Sequence, residues 1–183
     1  MAKIGDLKKN KQPLLMQKNL TSVEGAVMVG DSAVVLTSGT MGAYCAKSAP
    51  WRWGNTLSNG VAIEGIDGVN RIFGGLGVLV ALAGKTLHFL KYKGKGSFIP
   101  KFELTTANDD VDMEVCDIAI SVGGIAILEK LHGMSFQVRL IHMDSIMACK
   151  DSKEAQMLYG TATVAPSAWM EHSFGSIKWL FCF

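Results

Sequence analysis

The chain has 183 residues, 49% of them hydrophobic and 19% charged, with a net charge of +2 and a mean hydropathy of +0.25. That length fits one domain with room for a second small one, and it can bury a sizeable core. The composition excludes a disordered chain, the small net charge gives no specific indication of nucleic acid, and charge below the ~25% usual for soluble domains points to a membrane protein or to a subunit that buries much of its surface in an assembly.

Residues 1–20 hold Lys3, Lys8, Lys9, Lys11 and Lys18 against one acid, Asp6, and read as a basic flexible arm ahead of a single domain over 21–183. The apolar stretch behind those lysines, Pro13 to Met16, is too short for a secretory signal, which places the protein on the cytoplasmic side or inserts it through an internal segment. Thr21 to Cys45 is rich in small and β-branched residues. Thr21 and Glu24 have capping-box spacing and suggest a helix, while Gly30-Asp31 suggests a turn between two strands. Ala46 to Ser58 is a break. Trp51 and Trp53 flank Arg52 there, which suits a membrane interface or a loop packed on the core.

The segment 72–90 begins with thirteen residues, Ile72 to Gly84, that carry no charge. A membrane-spanning helix needs about 20 apolar residues, so the segment reaches that length only with Lys85 and His88 near one end. Read as a helix, Gly74, Gly77, Ala81 and Gly84 recur at spacings of three, four and three and form a stripe of small residues for close packing. A basic loop follows with Lys91, Lys93, Lys95 and Lys101, the candidates for contact with an anionic surface such as lipid head groups. An acidic stretch comes next: Glu103, Asp109, Asp110, Asp112, Glu114 and Asp117.

A second apolar segment spans 118–128. As a helix within 115–132 it carries the small residues Cys116, Ala119, Gly123 and Ala126, so that Ala119, Gly123 and Ala126 join the candidate packing interface. As strands, Ile118, Ile120 and Val122 alternate, Gly123-Gly124 turns, and Ile125 and Ile127 return. Met134 to Ile146 reads as a strand or an amphipathic helix, and Asp151 to Glu154 as a charged break. His132-Gly133 reads as a helix C-terminus, and the tail from Trp169 to Phe183 is aromatic-rich and needs burial. No repeat of fixed period stands out.

Sites of chemistry do not emerge. Gly84-Lys85-Thr86 resembles the end of a phosphate loop, but Leu79 stands where the motif needs glycine. Gly75 and Gly77 lack the third glycine of a dinucleotide fingerprint, where Val80 stands. Cys45, Cys116, Cys149 and Cys182 have neither paired nor zinc-type spacing, and His88, His132, His142 and His172 form no metal motif. Asp110, Asp112 and Glu114 lack the glycine and terminal glutamate of a calcium loop. The expectation is a non-enzymatic protein with no cofactor and no metal.

The pattern VNRIFGGLGVLVALAGKTLHFLKYKGKG, within Val69 to Pro100, resembles the small inner-membrane subunits of conjugation-type (type IVB) secretion systems, in which an apolar helix ends in a basic loop and a second apolar helix follows. The resemblance implies a subunit of a secretion or conjugation channel, or of a pilus-like assembly, at the cytoplasmic face of the inner membrane. The expected fold is therefore mainly α, a hairpin of two apolar helices with flanking amphipathic segments. The partners would be copies of itself, other assembly subunits and a lipid membrane. The alternative is a β-rich or α+β structural subunit of a virus or phage capsid, tail or extracellular filament, burying the same segments between subunits.

Overall fold

The computed structural model describes residues 23–47, 56–57, 61–106, 113–131 and 135–166. The basic arm, Trp51 and Trp53, the acids at 109–112, His132 and the aromatic tail lie outside the described residues. In chain order the strands are β1 (Val23–Val29), β2 (Ser32–Thr37), β3 (Thr40–Lys47), β4 (Thr56–Leu57), β5 (Val61–Ile63), β6 (Val69–Gly75), β7 (Val78–Ala83), β8 (Thr86–Gly94) and β9 (Ser97–Thr105). Then come β10 (Glu114–Ile120), β11 (Gly124–Lys130), β12 (Phe136–His142), helices α1 (Met143–Ala148) and α2 (Ser152–Thr161), and β13 (Thr163–Pro166).

The strands form three antiparallel sheets, ordered β1-β2-β3-β4 with β5 also on β3, β6-β7-β8-β9, and β10-β11-β12-β13. The expected helical hairpin is overturned. Both apolar segments are strands, the described residues include two short helices, and neither of these is long and apolar enough to cross a membrane.

Tight turns decide the outcome. In Ser38-Gly39, Leu76-Gly77 and Lys95-Gly96 both central residues have positive φ, and in Gly30-Asp31 and Gly84-Lys85 only the leading glycine does. These are the φ patterns of the two-residue turns whose twist matches that of paired strands. The turns at Leu76-Gly77 and Gly84-Lys85 leave only the six residues of β7 between them, too few for a stable helix. Val78 to Leu82 in β7 are all buried, so both faces are apolar and the alternation that marks a half-exposed strand is missing. In the second apolar segment the strand reading holds with the turn one residue earlier. Ser121 and Gly124 exchange backbone hydrogen bonds across Val122-Gly123, at 2.9 and 3.3 Å. Gly124 itself is needed for close approach, since a Cβ there would stand 2.4 Å from the Ile141 carbonyl oxygen.

The register contains a repeat that composition does not announce. The opening turns Gly30-Asp31, Leu76-Gly77 and Val122-Gly123 stand 46 residues apart, and so do the strand starts Ser32, Val78 and Gly124. The first strand of each sheet is seven residues long and carries a register shift at the same phase: between Val23 and Gly25, Val69 and Arg71, and Val115 and Asp117. Val23, Val69 and Val115 coincide, as do Leu36, Leu82 and Leu128. The repeating unit is a meander of bulged strand, tight turn and second strand. Its second turn repeats once, at Ser38-Gly39 and Gly84-Lys85, and is longer in the third copy.

The chain divides into two compact units, one of Met1–Ala83 with Lys91–Ile99, the other of Gly84–Leu90 with Pro100–Phe183. In the first, Val29, Val34, Leu36, Leu79 and Val80 are buried completely or nearly so. In the second, Phe89 packs on Phe102 with ring centroids 4.9 Å apart, beside the buried Leu87 and Leu104. The segment Met134 to Ile146 divides into β12 and α1. The charged break at Asp151 to Glu154 is the start of α2, where the Asp151 carboxylate accepts from the Glu154 amide at 2.9 Å and the Glu154 carboxylate accepts from the Lys150 amide at 2.9 Å.

Candidate functional site

In the second unit, pairing of β11 with β12 sets Glu129 opposite Gln137 and Ile127 opposite Arg139. With Ile125 and Ile127 pointing the same way, period two carries Glu129 onto the face that α2 covers. Glu129 is 0% exposed. Its Oε2 accepts from Gln137 Nε2 at 2.6 Å, and its Oε1 accepts from Arg139 Nε at 3.1 Å and from the Tyr159 hydroxyl. Arg139 also donates through Nη1 to the Tyr159 carbonyl at 2.9 Å, and its guanidinium lies 4.3 Å from the Tyr159 ring centroid. Burial, followed by the hydrogen bond to the Glu129 carboxylate, pushes the Tyr159 phenol well above its ordinary value.

The carboxylate thus takes donors on both oxygens, and no buried side-chain polar atom among the described residues lacks a partner. A group so engaged has nothing left to offer a substrate, and its effect is to fix α2 on the sheet. Two more α2 side chains satisfy backbone groups of β9: Ser152 Oγ accepts from the Glu103 amide at 2.9 Å, and Gln156 bonds both the amide and the carbonyl of Thr105 at 2.9 Å. The helix therefore covers an edge that would otherwise invite strand addition. The repeat singles out the cluster as well: positions equivalent to Glu129 hold Thr37 and Ala83. Sequence reading missed Glu129, although a carboxylate in phase with Ile125 and Ile127 was its signal.

The anticipated anionic-contact residues separate. Lys91, Lys93 and Lys95 are exposed on β8 and its following turn, and no carboxylate among the described residues pairs with them. Leu76, 57% exposed, and Ile99, 48% exposed, lie in the same unit. The Leu76-Gly77 turn adjoins these lysines, because the Tyr92 amide donates to the Gly77 carbonyl at 2.8 Å. Lys101 is committed elsewhere: its ammonium donates to the Cys149 carbonyl at the end of α1, at 2.8 Å, and lies over the Phe102 ring. On the opposite side of β8, the Tyr92 hydroxyl bonds the Asp31 carboxylate and Ser32 Oγ.

The small residues are likewise redistributed, because a strand repeats every two residues rather than every 3.6. Gly77 and Gly84 sit in turns, and Gly123 does too. Gly74 and Ala81 do share one sheet face, through the pairs Gly74 with Leu79 and Ile72 with Ala81. Gly74 marks a close approach of strands: a Cβ there would stand 2.7 Å from Val29 Cγ2 and 2.9 Å from Val27 Cγ2. Ala119 pairs directly with Ala126. They belong to an apolar cluster on the face opposite Glu129, with Leu128, Val138, Leu140 and Ala165, to which no other element contributes among the described residues. A comparable face exists on the first sheet. The register puts Ala26, Met28, Ala33 and Val35 on one side, with Met28 56% exposed.

No family model, no curated protein and no solved structure matches the chain.

Proposed function

We propose that the protein is a non-catalytic, β-rich structural subunit that assembles with copies of itself, of the kind that builds a capsid, tail or filament. The observation that carries the reading is the face of the first sheet where Ala26, Met28, Ala33 and Val35 lie together without a charged side chain, with Met28 56% exposed although Tyr44 on the same face is buried. An apolar sheet face in water costs free energy that a partner surface recovers. The polar cluster around Glu129 supports the same reading, since its groups are consumed in fixing the fold. Light scattering coupled to size exclusion, over a hundredfold range of concentration, tests it. A mass that rises to a multiple of 19.7 kDa is expected, and a mass fixed at that value throughout would refute the reading.

Lys91, Lys93 and Lys95 with Leu76 and Ile99 support a second contact, with an anionic lipid surface, in which lysines meet head groups and the two apolar side chains enter the interface. Each lysine near such a surface is worth about 1 kcal/mol. Replacing all three by Gln is expected to weaken binding to vesicles containing phosphatidylserine by roughly 10²-fold. Equal binding by the variant would remove this contact.

A further inference from the structure

Within the first unit, β6 and β7 turn the face of Gly74 and Leu79 towards β1. A Cβ on Gly74 would meet Val27 and Val29 inside 3 Å, and one on Gly25 would meet Ile72 Cγ1 at 3.5 Å. The second repeat therefore lays its Gly74–Leu79 face on the Val27–Val34 face of the first. The 46-residue phase translates both faces. Gly74 and Leu79 correspond to Met28 and Ala33, and Val27 and Val34 correspond to Ala119 and Ala126.

Two faces of these same two kinds keep exposed or half-exposed side chains beside buried ones, Tyr44 on the first and Ala126 and Val138 on the third. The first repeat exposes Met28 and half-exposes Ala33. The third repeat half-exposes Ala119, Leu128 and Leu140 in a cluster made of its own sheet alone among the described residues. The first face carries no charged side chain in its paired register, and on the third the charges sit at one end, Asp117 at the register shift of β10 and Lys130 opposite Glu114. Each of these faces is thus one half of the sheet packing that the chain already makes once between its first and second repeats.

We infer that copies of this chain associate head to tail, the Met28 face of one seating on the Ala119–Leu140 face of the next, so that the sheet packing of the first two repeats continues between molecules. The inference rests on the assembly reading above and specifies which surfaces meet. Such a contact is heterologous: it joins two different patches, and it generates a ring if the rotation closes and a filament if it does not.

Heterologous contacts have a signature that face-to-face dimers lack, which is complementation. Met28→Lys spoils one face and leaves the other intact, and Leu140→Lys does the converse. Sedimentation at a concentration where the wild type assembles is expected to show each variant alone as a monomer. An equimolar mixture is expected to give a dimer of one copy of each, at twice the monomer mass. Circular dichroism establishes that both are folded, and Ala165→Lys on the edge strand β13 replaces Leu140→Lys if that variant is not. Assembly of the Leu140→Lys and Ala165→Lys variants at the wild-type level would overturn the inference, as would a mixture that stays monomeric. In both cases an assembling wild type leaves the assembly reading intact, whereas a wild type that is monomeric at every concentration refutes that reading itself.

Discussion

At the residue scale Glu129 and its three partners hold α2 on the third sheet. A carboxylate removed from water costs several kcal/mol unless its lone pairs are filled, and here Gln137, Arg139 and Tyr159 fill them. Arg139→Met leaves that charge buried without its counter-ion and is expected to lower the unfolding free energy by about 3–5 kcal/mol, read as a shift in the urea midpoint. The Tyr159 phenol adds a pH dependence. Its folded value is raised above the unfolded 10.0, so the protonated form is favoured by folding. The stabilisation is present in full below pH about 10 and is lost as pH rises through the interval up to the folded value. The urea midpoint of the wild type should therefore fall more steeply between pH 9.5 and 11.5 than that of Tyr159→Phe. Parallel curves would show that the phenol is not held in this way.

At the element scale the deciding features are turns and close approaches. Gly74→Ala is expected to cost about 1–3 kcal/mol, because the added methyl meets two stiff β-branched neighbours, Val27 and Val29, that cannot swing aside. A thermal midpoint unchanged from wild type would place β1 and β6 further apart than described. These elements also show what could be read in advance. The Ile118 to Ile127 hairpin was visible, since strands there alternate around a glycine pair. The segment Ile72 to Leu90 misled because β7 is buried on both faces, and an uninterrupted apolar run has the same appearance in a buried strand and a buried helix. The doublets Leu76-Gly77 and Gly84-Lys85 held the answer, eight residues apart like Gly30-Asp31 and Ser38-Gly39. The Glu129 cluster was hidden because its members come from positions 129, 137, 139 and 159, and only the fold of β11, β12 and α2 brings them together.

At the scale of the whole molecule the 46-residue repeat organises the chain more than its hydropathy does. Its copies share register and turn positions while few residues coincide, Val23, Val69 and Val115 among them, which is why composition and motif scanning pass over it. Repeats that bury faces against their neighbours leave the end copies with apolar faces still to cover. On the proposed assembly reading, the half-exposed faces of the first and third sheets are the surfaces that copies of the chain would cover. Covalent trapping of the contact tests this most directly. Cysteines replacing Met28 and Leu140 in a chain whose Cys45, Cys116, Cys149 and Cys182 are changed to Ser, oxidised at an assembling concentration, should yield a ladder of covalent multimers on a denaturing gel, while the single Met28→Cys and Leu140→Cys variants in the same background yield none. Efficient dimer formation by Met28→Cys alone, or no ladder from the double variant, would contradict the account.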